Sequence, residues 1–243
     1  MLSGFITALR LLSILPVPAK ESRNFCDGLP WYPVAGFILG AIVACVSGAV
    51  SHLTPNWPEL AALCAVICSI ALTRGLHLDG VADCADGFWG GHTPARRLEI
   101  MKDSRIGAFG VIALVILLLI KFTIYTRIFA TGTEWLIPAA FGASRYILTL
   151  LAFFFRYPRK SGTAAAIVQG ALPRHLVLAT LFTLALSFYA PIPGVATTLV
   201  AVWIAVSIGF FARSRIGGVT GDVLGAACEI SELGALLLLS LLS

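Results

Sequence analysis

Eight of the twelve acidic residues in this chain fall in two places, and their spacing is that of a cation site. The first place reads His77-Leu78-Asp79-Gly80-Val81-Ala82-Asp83-Cys84-Ala85-Asp86-Gly87, with Glu99 and Asp103 further on. On a helix turning about 100° per residue, offsets of four and three put Asp79, Asp83 and Asp86 on one stripe. Three like charges on one face repel unless a cation sits between them. Oxygen donors without His or Cys partners suit a hard ion, Mg²⁺ or Ca²⁺, so all three are candidate metal ligands. A merely solvated acidic face fits poorly, because the residues between the acids are apolar or small and the stretch abuts a long apolar segment. Gly80 and Gly87 also remove side chains where a bulky ligand approaches.

The second place reads Gly217-Gly218-Val219-Thr220-Gly221-Asp222, followed by Gly225, Glu229 and Glu232. Backbone N–H groups of glycines ahead of a helix suit phosphate, which makes Gly218 and Gly221 candidate substrate contacts. Asp222 and Glu229 are expected as metal ligands opposite the first cluster. Glu229 and Glu232 would sit one to two turns inside an apolar segment, where an ionisable group is costly and presumed functional. Between the clusters lies Arg96-Arg97-Leu98-Glu99-Ile100-Met101-Lys102-Asp103-Ser104-Arg105-Ile106-Gly107. Its plain reading is a surface helix in which Glu99 and Asp103 pair with Arg96 or Lys102. Its functional reading has Lys102 and Arg105 gripping a phosphorylated substrate. His77 and His92, flanking the first cluster, read as structural hydrogen-bonding residues.

The elements that must position these groups are membrane helices. The chain is 58% hydrophobic and 12% charged with mean hydropathy +0.93, against about 25% charged in a soluble domain. Seven apolar segments, residues 31–53, 59–75, 107–127, 135–155, 175–190, 193–212 and 225–242, predict about seven transmembrane helices. Residues 1–18 add an amphipathic interfacial helix without a basic leader, and the acidic motif a cytoplasmic helix. The expected architecture is all-α, a single polytopic bundle over residues 1–243. Links 52–58, 129–134 and 190–193 carry no Lys or Arg, whereas the others carry Arg96, Arg97, Lys102 and Arg105, then Arg156, Arg159, Lys160 and Arg174, then Arg213 and Arg215. That alternation puts the N-terminus and both acidic clusters on the cytoplasmic side of the membrane and the C-terminus outside. It also accounts for the net charge of +5, so nucleic acid is not an expected partner.

Two cations fall within spans. Lys121 is placed near enough to the outer end of its segment to snorkel. Arg145 lies near the middle of its segment and needs an anionic partner, with Glu232 or Glu229 at comparable depth. The six cysteines form no CxxC pair and read as small packing residues.

The string from His77 to Gly87 resembles the signature of the cobalamin synthase family, the adenosylcobinamide-GDP ribazoletransferases. Residues Arg97 to Gly107 and Gly217 to Ala226 are similar to its other motifs. So are Phe5-Ile6-Thr7, Leu15-Pro16-Val17-Pro18, Trp31-Tyr32-Pro33-Val34-Ala35-Gly36, Lys121 and Ser144-Arg145. The resemblance runs through the whole chain in order, departing at Cys84-Ala85, where a Thr-Cys-like pair is common. It implies transfer from adenosylcobinamide-GDP to α-ribazole, or its 5′-phosphate, with release of GMP. Mg²⁺ would be held by Asp79, Asp83 and Asp86 with Asp222 or Glu229 opposite, and one carboxylate, Asp83 or Asp86, would act as base. Lys102, Arg105 and Arg145 would balance phosphate charge. The expected partners are the two substrates, the bilayer and, as an open option, further copies of the chain. Two rival readings follow from the same residues. One is a CDP-alcohol phosphotransferase acting on phospholipid, whose D-x2-D-G-x2-A-R string is absent. The other is a secondary cation transporter using Glu229 and Glu232.

Overall fold

The computed structural model describes residues 2–159, 162 and 164–242; Lys160, counted above among the basic loop residues, lies outside them. The short helix α1 (Leu2–Leu12) packs against a 3-10 segment, Phe25–Trp31, that runs directly into α2 (Tyr32–Leu53). There follow α3 (Pro58–Thr73), α4 (Leu76–Gly90), α5 (Pro94–Ile100) and α6 (Ala108–Thr131). A 3-10 turn, Glu134–Leu136, then leads into α7 (Ile137–Phe154), and α8 (Ala165–Gln169), α9 (Pro173–Ser187), α10 (Pro191–Ile216) and α11 (Gly221–Leu242) complete the chain.

Among the described residues, five helical segments are long and apolar enough to cross a bilayer: Phe25–Leu53, Ala108–Thr131, Glu134–Phe154, Pro191–Ile216 and Gly221–Leu242. These match five of the seven expected crossings, and the other two fall on shorter helices. The segments at 59–75 and 175–190 become α3 and α9, of 16 and 15 residues. At 1.5 Å per residue these span about 24 and 22 Å, short of the roughly 30 Å hydrocarbon core. Taken with α4, α3 makes at most a sixth crossing, bent by 91°.

The bend has a local cause. Arg74 and Gly75 both take left-handed backbone, with φ of 56° and 65°, and Gly75 N–H closes on the Ile70 carbonyl at 3.1 Å. This αL ending stops α3 and starts α4 in a new direction within two residues. Glycine holds that conformation without strain; arginine does so at a cost.

Burial ranks the helices by place. In its spanning window α7 is 94% buried and stands at the centre, against α2, α9, α10 and α11. The windows of α6 and α10 are only 28% buried, so their apolar side chains form the lipid-facing wall. Two close approaches hold the layers together. A Cβ on Gly36 of α2 would lie 2.4 Å from the Phe141 carbonyl of α7, so only glycine permits that crossing. The same holds between α4 and α11, where a Cβ on Gly80 would come within 2.5 Å of the Asp222 carbonyl.

Candidate active site

The α4–α11 crossing is what assembles the site. With Gly80 resting on the backbone of Asp222, and Gly225 facing the backbone of His77, Asp79 and Asp222 come to line one cavity of about 250 Å³. Asp79 also lines a second cavity, of about 640 Å³, together with Asp83, Arg74, Lys102 and Arg105. The acids at 79, 83 and 222 and the cations at 102 and 105 thus share one end of the bundle, as their types suggested. Gly221 opens α11 at the wall of the smaller cavity.

Charge at this end is only partly balanced within the chain. Arg159 donates to Asp222 at 3.0 Å, and Thr220, which caps α11 through Val223 N–H at 3.3 Å, donates to the same oxygen at 3.1 Å. Asp79 and Asp83 make no such pairs among the described residues. Arg105 is held at rest by Asp103, bidentate at 3.0 and 2.7 Å, and those bonds keep the Asp103 carboxyl down at about 2. Among the described residues, no three His, Cys, Asp or Glu side chains converge into a closed metal cage. The donor chemistry still suits Mg²⁺, which takes one or two carboxylates and completes its shell with water and substrate phosphate.

Four expected site residues are placed elsewhere. Both oxygens of Asp86 are occupied, accepting from Gly107 N–H at 2.7 Å and Gly110 N–H at 2.9 Å. Asp86 is therefore the N-terminal cap of α6, which matches a carboxylate to unpaired helix donors and the positive end of the dipole. Gly218 packs its backbone on residue 156, with Val219 N–H bonded to the Arg156 carbonyl at 2.9 Å. A Cβ on Gly218 would strike that same carbonyl, so its missing side chain serves this packing.

Glu229 and Arg145 belong to a third arrangement, deep among the spans. Lys121 donates to Glu229 at 2.6 Å and to Glu232 at 2.7 Å, and Arg145 pairs with Glu232 and Ser144. All four charged side chains are at most 5% exposed, and two cations facing two anions make the quartet neutral. The expected Arg145–Glu232 pair is present. The expectation that Lys121 snorkels is corrected: it points inward, because two carboxylates offer it more than the bilayer surface does. Neither Glu229 nor Glu232 is left free to carry a cation.

Sequence reasoning gave no site role to Arg74 or to Arg159, which it counted only as a basic loop residue, though both stand beside the acids; of the residues lining the smaller cavity it noted Tyr32 only within a motif and read His77 as structural. The available signal for Arg74 was an Arg-Gly pair closing an apolar run just before an acidic stripe.

The chain matches the cobalamin-5-phosphate synthase family over residues 4–240. It belongs to that family. The match takes in every helix that contributes to the site, from α1 to α11. The adenosylcobinamide-GDP ribazoletransferase of Chlorobium chlorochromatii (strain CaD3) is 44% identical over 98% of this chain and 98% of its own length. The protein of the same name from Chlorobaculum parvum (strain DSM 263 / NCIMB 8327) is 40% identical over 96% and 93%. That from Klebsiella pneumoniae (strain 342) is 34% identical over the full length of both chains. No solved structure matches the chain.

Proposed function

We propose that this chain joins adenosylcobinamide-GDP to α-ribazole, or its 5′-phosphate, and releases GMP, using the two cavities that meet at Asp79. The relatives carry that activity in their names, and family membership extends it to this chain. The observation that carries the mechanism is the position of Asp79, the one carboxylate lining both a basic cavity and an apolar one.

In this reading the diphosphate of adenosylcobinamide-GDP lies in the 640 Å³ cavity, where Arg74, Lys102 and Arg105 balance its charge. Asp83 and Asp222, from the two crossing helices, would hold Mg²⁺. Mg²⁺ supplies charge neutralisation at the diphosphate oxygens and orients them. The acceptor approaches from the smaller cavity. Its 3′-oxygen forms a bond to the cobinamide-side phosphorus, the bond from that phosphorus to the bridging oxygen breaks, and GMP leaves. Asp79 takes the hydroxyl proton. Asp86 is left out of this role because each of its oxygens already accepts a backbone N–H at the start of α6.

The alternation of basic and neutral links supports a multi-pass protein of the bacterial inner membrane with this end facing the cytoplasm. The purified chain in detergent should release GMP from adenosylcobinamide-GDP only when α-ribazole and Mg²⁺ are both present. Activity undiminished by EDTA would refute the metal's part. No GMP release under any condition would refute the reading as a whole.

A further inference from the structure

The cavity of about 250 Å³ differs in kind from its basic neighbour. Leu12, Leu148, Ile167 and Leu224 give it aliphatic walls, drawn from α1, α7, α8 and α11. Two polar side chains stand among them. Tyr32 is 2% exposed and His77 4% exposed, and Oη of the one and Nδ1 of the other have no hydrogen-bond partner among the described residues. Buried polar atoms are nearly always paired. Both residues line this one cavity, so a molecule entering it is the nearest source of the missing bonds.

We propose that this cavity is the acceptor subsite, taking the flat, weakly polar benzimidazole base of α-ribazole with Tyr32 and His77 as its hydrogen-bonding partners. The assignment rests on the function proposed above and adds to it which part of which substrate goes where. Polarity decides the matter. A guanine edge carries several donors and acceptors, and those that met the aliphatic walls would go unpaired at a cost. A benzimidazole base has few polar atoms and loses little by leaving water for Leu12, Leu148 and Leu224. A neutral imidazole offers one donor and one acceptor and a phenol can serve as either, so the pair can match a ring nitrogen and a ribose hydroxyl. The ribose then faces the end of the cavity lined by Asp79 and Asp222.

The test combines kinetics and binding on the full-length chain in detergent with Mg²⁺. Tyr32→Phe and His77→Ala should each raise KM for α-ribazole about tenfold and leave KM for adenosylcobinamide-GDP within about twofold. Leu148→Trp, which fills the cavity, should abolish calorimetric binding of α-ribazole alone. If that variant does not elute as a single folded species, Tyr32→Phe carries the test, since it deletes one oxygen and no volume. An unchanged KM for α-ribazole in both polar variants, or an equal rise in both KM values, overturns the assignment. Calorimetry separates the two claims. A wild-type chain that releases no GMP yet loses α-ribazole binding when the cavity is filled sinks the activity and upholds the subsite. A wild-type chain that turns over while Leu148→Trp binds α-ribazole normally does the reverse.

Discussion

Replacing Lys121 by methionine tests the buried quartet most sharply, because two accounts of it predict different magnitudes. Methionine is close to lysine in shape, so the change removes a charge and three donors without opening a cavity. If only hydrogen bonds mattered, the loss would be small, since such bonds inside membrane proteins average about 0.6 kcal/mol. The geometry says otherwise. Lys121 is the partner of Glu229 and one of two partners of Glu232, and its removal leaves two anions facing one cation. Breaking a buried pair by deleting one member costs about 3–5 kcal/mol, because the other charge stays buried without compensation. The folded-to-unfolded ratio should fall by about 10²–10⁴-fold, at 1.4 kcal/mol per tenfold. Adding Glu229→Gln restores neutrality and keeps Arg145 on Glu232, so the double variant should recover more than half of the loss. Unfolding in mixed micelles, followed by tryptophan fluorescence, gives both numbers. A cost below about 1 kcal/mol for Lys121→Met, or a double variant no better than the sum of its singles, would refute the charge-balance argument.

Asp83→Asn should abolish GMP release while the protein stays folded in the membrane, since that carboxylate lines a cavity and is part of no ion pair among the described residues; near-normal turnover at ordinary Mg²⁺ would count against the site. Asp86→Ala should instead lower stability by about 0.5–2 kcal/mol, the range for a lost helix cap, and the folded fraction should keep most of its turnover. A reporter fused after Arg105 should read as cytoplasmic and one at the C-terminus as external; a reversed pattern would remove the site from its GDP-activated substrate.

The acidic stripe was legible as a stripe but not as a set of roles. Offsets of three and four fix which face of α4 the three aspartates share. They say nothing of what packs against each turn, and the third turn meets the unpaired N–H groups that open α6. Glu229 could have been separated from the metal site by arithmetic. It shares a face with Asp222 but lies seven residues on, about 10 Å deeper at 1.5 Å per residue. Lys121 was harder, because distance from the end of an apolar run measures access to water and is blind to carboxylates waiting on another helix. The Arg145–Glu232 pair was readable, since two charges at matching depth in lipid have few alternatives to each other. The apolar cavity was not, because Leu12, Tyr32, His77, Leu148 and Ile167 come from five elements whose meeting no local pattern records.

The central position of α7 sets a timetable for the nascent chain. This helix is the most enclosed of the five spanning segments, yet it leaves the ribosome before α9, α10 and α11, which cover it. Its Arg145 waits for a partner encoded 87 residues later. At about 5–20 residues per second, that is roughly 4–17 s of synthesis. During that interval an arginine-bearing helix must be held by the insertion machinery, by lipid headgroups or by provisional contacts with α2. It is therefore α11 that releases α7 from its escort, so a chain cut short within α11 should be a substrate for membrane proteolysis and not a weakened enzyme.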